Sequence, residues 1–251
     1  MMHEGRFWEL DLIRGIAVVM MVLFHLAYDL SFFGIYAFDI HSGFWFYFAR
    51  ITAGIFVLLV GVSLALVASR PVHQKQDELR IRLFKRGTKI FSLGLGITAA
   101  TYFLVGKGFI IFGILHLIGL SIILAYPFLD FKTLNVILGV VIIAIGLYLQ
   151  SFSFNFPWLL WLGFAPASFY TLDYFPLLPW FGLVLIGIYS GDVLYGGYQR
   201  RVELPDLSSC DLFSPLMLLG RNSLAIYLVH QPLLILALSL LGRASISVPL
   251  Q

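Results

Sequence analysis

One apolar helix near the start of this sequence carries ionisable residues in two pairs. In RFWELDLIRGIAVVMMVLFHLAYD, Arg6 to Asp29, Asp11 and Arg14 lie three apart and His25 and Asp29 four apart, so each pair falls on one helical face. A charged side chain costs roughly 2.5 to 3.5 kcal/mol at a bilayer centre on insertion scales, so such residues face a protein interior or a wet cavity. Histidine is the natural general base near neutral pH, because its unperturbed pKa is ~6.5. Asp29, one turn beyond His25, stands where a carboxylate could orient an imidazole and stabilise its protonated form. Of the six histidines, His25, His41, His116 in FGILHLIGLS and His230 in SLAIYLVHQP lie within or beside apolar runs. A lone His in such a run ordinarily packs and hydrogen-bonds. Several of them, with Asp29, Asp173 and Arg50, are more than packing needs.

Other stretches could serve a substrate. In DYFPLLPWFG, Asp173 could meet a polar group while Trp180 stacks on it, or the segment is simply an aromatic belt stiffened by Pro176 and Pro179. LGRNSLAIYLVHQP opens with Arg221, a phosphate-binding residue type, and with Asn222 and Ser223, which suit a helix cap. SRPVHQKQDELRIRLFKRGTK holds seven basic residues from Arg70 to Lys89, including Lys85 and Arg86, beside Asp77 and Glu78. Such a run satisfies membrane topology and anionic lipid, or docks a phosphorylated co-substrate. Metal is not expected, since no HxxxH or HExxH spacing occurs. A nucleophile elbow, a Walker motif and a strand-borne GxGxxG are absent too.

These residues need a membrane scaffold. The chain has 251 residues, 60% hydrophobic and 12% charged, against a soluble norm of ~45–50% apolar and ~25% charged. The apolar runs are long and continuous, which excludes the alternating strands of a barrel. We expect an all-α integral membrane protein forming one transmembrane domain over 1–251. Its spans fall at 9–31, 44–68, 88–105, 109–129, 133–150, 177–195 and 216–241. The Trp- and Pro-rich stretch before the sixth span reads as an interfacial or re-entrant segment. With a cytoplasmic N-terminus, 13 of the 16 basic residues lie inside and only Arg50, Lys107 and Arg243 outside, which is the positive-inside pattern. The first span lacks a small-residue cleavage site, so a signal peptide is not expected. Cys210, the single cysteine, cannot form an internal disulfide.

DLIRGIAVVMMVLFHLAYDL, FVLLVGVSLAL, FGILHLIGLS, DYFPLLPWFGLVLIGIYSG and LGRNSLAIYLVHQP, in this order over nearly the whole chain, resemble the heparan-α-glucosaminide N-acetyltransferase catalytic family in its compact prokaryotic form. The first stretch also resembles membrane sugar O-acyltransferases. The resemblance implies a transmembrane acetyltransferase that takes acetyl-CoA on the cytoplasmic side and acetylates an amino sugar on the other, with a possible homodimer. It implies a catalytic His at the outer end of the first helix or in the loop after it, a role open to His25 or His41, with Asp29 orienting. Arg50, Asp173, Trp180, His116 and His230 then face the acceptor. By charge and predicted side alone, Asp11, Arg14, Lys85, Arg86, Arg221 and Asn222 fall to the CoA side. Rival readings are an O-acyltransferase of a surface glycan or lipid-linked sugar, a small proton-coupled transporter, and a non-catalytic membrane subunit. Transporters often carry paired internal repeats, which are not evident here.

Overall fold

The computed structural model describes residues 7–70, 76–208 and 210–242. Arg6, Lys75 and Arg243, which enter the charge asymmetry, lie outside the described residues. The helices are α1 (Trp8–Phe32), α2 (Gly43–Ala68), α3 (Gln76–Leu104), α4 (Ile114–Leu124), α5 (Leu134–Leu149), α6 (Leu177–Tyr195), α7 (Ser214–Arg221) and α8 (Ser223–Leu240). Among the described residues, four helical runs, Trp8–Phe32, Gly43–Ala68, Leu177–Tyr198 and Ser223–Leu240, are long and apolar enough to cross a membrane. The apolar side chains Ile137, Val140, Val141 and Ile145 of α5 point outward, as do Phe103, Leu104 and Leu240. Water would penalise those surfaces and lipid does not. The chain is a helical membrane protein.

Two expected spans take a different form. The fourth, expected over 109–129, is α-helical only from Ile114 to Leu124, 11 residues or about 17 Å of helix against ~30 Å of hydrocarbon. Its start is displaced because residues 108–112 run extended beside 172–175. Leu172 N–H donates to Gly108 O at 2.9 Å and Phe175 N–H to Phe112 O at 3.0 Å, with a parallel bridge between Phe112 and Tyr174. Gly106 and Gly108 have φ of +74° and +86°, values that favour glycine and turn the chain into this pairing. The last span, expected as one helix over 216–241, breaks at Asn222 into α7 and α8. There φ is −104° and ψ 16°, and the side-chain Nδ2 turns back to donate to Leu218 O at 2.9 Å instead of capping α8. Between α5 and α6 the aromatic stretch forms a single 3-10 turn, Leu160–Leu162, to whose Leu160 O the Tyr174 hydroxyl donates at 2.8 Å.

The chain divides into two compact units, Met1–Phe56 with Leu204–Gln251, and Val57–Glu203. In the first, α1 packs against α7 and α8. A Cβ on Gly15 would lie 1.9 Å from Leu216 O and one on Gly220 1.8 Å from Asp11 O, so α1 and α7 meet backbone to backbone. In the second, α3 packs on α4 and α5 on α6. Gly87 with Gly119, Gly139 with Gly182 and Gly61 with Gly187 make the close crossings, the small-residue contact by which membrane helices associate. Its core gathers Val57, Leu64, Leu83, Leu117, Ile122 and Leu185.

Candidate active site

The first unit holds the strongest constellation of polar groups, along the seam of α1 and α8. The rings of His25 and His230 stand edge to face with centroids 4.7 Å apart. His25 Nδ1 lies 2.8 Å from Met21 O, and His230 Nδ1 lies 2.7 Å from Tyr227 O and 3.2 Å from Ile226 O. A carbonyl oxygen only accepts, so each Nδ1 is the protonated donor and each neutral ring turns a lone pair out at Nε2. His230 is 7% exposed, and its Nε2 is buried with no partner among the described residues.

Asp29, one turn further along α1, is 2% exposed. Its Oδ1 accepts from Gln231 Nε2 at 2.6 Å, while Asp29 Oδ2 and Gln231 Oε1 are buried with no partner among the described residues. The expected orienting contact from Asp29 to His25 is not made. Met21 O already holds the ring by the nitrogen a carboxylate would have taken. A buried polar atom left unpaired costs about 1–3 kcal/mol, and such atoms are rare in native proteins. Here three fall on consecutive or facing positions of one helix pair.

At the other end of α1 lies an ionic cluster. Asp11, 1% exposed, accepts from Arg14 Nη1 at 3.1 Å through Oδ1 and from Arg221 Nε at 3.2 Å through Oδ2. The Arg221 side chain is 46% exposed. Asp11, Arg14 and Arg221 are thus brought together. Asn222 spends its amide on Leu218 O.

His41 sits exposed in the α1–α2 connection. Its neighbour Asp39 accepts from Ser42 N–H at 3.0 Å and from the Ser42 hydroxyl, closing the turn that starts α2. The Ser42 side chain, then its backbone N–H and the nearby His41, hold the Asp39 carboxyl below its ordinary range. The Arg50 guanidinium covers the Phe46 ring at 3.5 Å. Lys85 and Arg86 are exposed on α3.

In the second unit, His116 and Asp173 are used by the fold. His116 Nδ1 accepts from Gly113 N–H at 3.2 Å, and its Nε2 lies 3.4 Å from Thr98 Oγ1. Its ring is packed against Phe91 and Phe112. Asp173 Oδ2 accepts from Ile114 N–H at 3.1 Å. Together they satisfy the first free N–H groups of α4, which its own N-cap, a glycine, cannot. Burial pushes the Asp173 carboxyl up to about 6, opposed by the Ile114 N–H. Trp180 rests on Phe175 at the entry to α6.

Sequence reasoning missed Gln231. Its only signal was a second polar side chain directly after His230 in an otherwise apolar run. A family model described as "Heparan-alpha-glucosaminide N-acetyltransferase, catalytic" matches residues 6–232, a stretch that begins before α1 and ends just past Gln231. No curated protein and no solved structure matches the chain.

Proposed function

The chain belongs to the heparan-α-glucosaminide N-acetyltransferase catalytic family, and from this premise we propose that it passes the acetyl group of cytoplasmic acetyl-CoA to the amine of a glucosamine-type sugar on the outer side, with His25 as general base. The observation that carries this reading is the His25–His230 pair. Two imidazoles locked as Nδ1–H by backbone carbonyls both present Nε2 lone pairs within one seam. A base needs that tautomer and that nitrogen.

In this reading the N-terminus is cytoplasmic, so the Asp11 cluster lies at the inner end of α1 and the histidine pair toward the outer end. At ~1.5 Å per residue, about 21 Å of helix separates Asp11 from His25, a distance suited to an extended thioester arm. Arg221 would hold phosphates, and Asp11 fixes the Arg14 and Arg221 heads. Arg50 and His41, exposed near the outer side, would meet sugar hydroxyls.

His25 Nε2 takes a proton from the amine nitrogen as that nitrogen bonds to the acetyl carbonyl carbon. The carbon–sulfur bond then breaks, and the CoA thiolate takes the proton back from the imidazolium. The step needs no acetyl-enzyme.

Acetyl-CoA binding and CoA release should be measured with purified protein, with and without glucosamine. CoA release is expected to require glucosamine and to fall about 10²- to 10⁴-fold in His25→Ala, with acetyl-CoA binding retained. If His41→Ala loses release and His25→Ala keeps it, His41 is the base. Folded wild-type protein that neither binds acetyl-CoA nor releases CoA would overturn the reading.

A further inference from the structure

The proposed base leaves Asp29 Oδ2, Gln231 Oε1 and His230 Nε2 buried and unused. Each of the three is an acceptor. Gln231 must turn its amide nitrogen toward the carboxylate 2.6 Å away, since two oxygens at that distance would repel, and this leaves Oε1 as the other end. His230 must turn its N–H toward the two backbone carbonyls. With His25 Nε2, these four side chains offer lone pairs and one negative charge, against a single spare N–H on the Gln231 amide.

Such a set disfavours a phosphate or a carboxylate, each of which is an anion that needs several donors. It fits a group that brings positive charge and several N–H donors, which is a primary ammonium. A sugar hydroxyl brings one donor and no charge. We infer that Asp29 and Gln231 form an ammonium subsite that captures the acceptor in its protonated form beside the His25–His230 pair, an inference that rests on the proposed acetyl transfer. Asp29 supplies the counter-charge. Gln231 is a positioning residue: its amide pins Oδ1 and leaves Oδ2 for the ligand. Of the two protons the nitrogen sheds on becoming an amide, one ends on the CoA sulfur and the other leaves through the imidazole pair.

The test is equilibrium binding of glucosamine against glucose, which differs at that carbon by a hydroxyl in place of the ammonium. It uses the purified full chain without acetyl-CoA, by titration calorimetry. Wild type should prefer glucosamine by about ten- to a hundred-fold, the range expected for charged hydrogen bonds. Asp29→Asn, close in shape, should bring the preference within about threefold, and Gln231→Met should reduce it in the same direction. Should Asp29→Asn fail to fold, Gln231→Met decides. A wild type with no preference, or a preference unchanged in both folded variants, overturns the subsite. The two readings fail separately. Acetyl transfer to glucosamine with a preference indifferent to Asp29 and Gln231 keeps the reaction and removes the subsite. A preference that collapses in Asp29→Asn with no acetyl transfer by wild type keeps the subsite and removes the reaction.

Discussion

His116 and His230 look alike in an amino-acid sequence, and hydrogen bonding separates them. His116 has both ring nitrogens engaged, with Gly113 N–H and Thr98 Oγ1, whereas His230 has one nitrogen buried and unengaged. The helical spacing of His25 and Asp29 was legible as a shared face, but which partner each would take was not. Those partners, His230 and Gln231, lie some two hundred positions away, where an i,i+4 rule has no reach. Asp173 shows the same limit, since it reads as a substrate contact until Ile114 N–H is seen on it. Asp173→Ala should therefore destabilise the fold by about 1–2 kcal/mol through loss of that N–H partner. Asp173→Asn keeps an acceptor and should cost less. Its sign also depends on pH. The Asp173 carboxyl titrates at about 6 in the fold against an ordinary 3.8, so the fold holds this proton more tightly than the unfolded chain. The resulting stability is full below about 4 and is lost as pH rises through about 6. The stability of Asp173→Asn relative to wild type should rise from pH 5 to pH 8, read as thermal unfolding in detergent at each pH. An advantage that stays flat would show that Asp173 does not titrate in that window.

At the scale of elements, continuous apolar runs made helices easy to place, and α1, α2 and α6 begin and end within a few residues of expectation. Breaks inside apolar runs were harder. Nothing in the hydropathy of residues 109–113 distinguishes a helix from the extended pairing with 172–175, and the interruption at Asn222 depends on one amide turning toward Leu218 O. That interruption has a consequence for the ionic cluster, because α7 can then lie against α1 on its own and bring Arg221 to Asp11. The approach needs glycine on both helices. Gly15→Ala and Gly220→Ala each drive a methyl group into opposing backbone and should cost about 1–3 kcal/mol as overpacking. Gly96→Ala on α3 has open space around its Cβ and should be neutral or stabilising by up to ~1 kcal/mol. Unfolding of the three variants side by side reads this directly, and equal effects would mean that the α1–α7 contact does not carry the load described.

The whole molecule must present opposite ends of α1 to different compartments if a cytoplasmic thioester is to meet an amine from outside. Charge placement argues for one orientation: the basic residues of α3, Arg200, Arg201 and Arg221 all fall on the side of the N-terminus when spans are counted from a cytoplasmic start. That count turns on the short helices α4 and α5, neither of which alone reaches ~30 Å. Cys210, partly exposed just before α7, reports on it without engineering, because it is the single thiol in the chain. In the proposed topology a membrane-impermeant maleimide should label Cys210 in inverted vesicles and leave it unlabelled in intact cells. A second probe, Ser153→Cys in a Cys210→Ser background, places a thiol in the exposed aromatic stretch between α5 and α6 and should show the opposite pattern. Labelling of both positions from the same side would require zero or two crossings between them, and α6 would no longer stand as the single passage that separates them. Labelling of Cys210 only in intact cells, with Ser153→Cys only in inverted vesicles, would mean either that one of α4 and α5 does not cross or that the molecule is inverted, and in the second case the His25 pair lies on the cytoplasmic side, where acetyl-CoA and the acceptor amine would meet without any transfer across the bilayer.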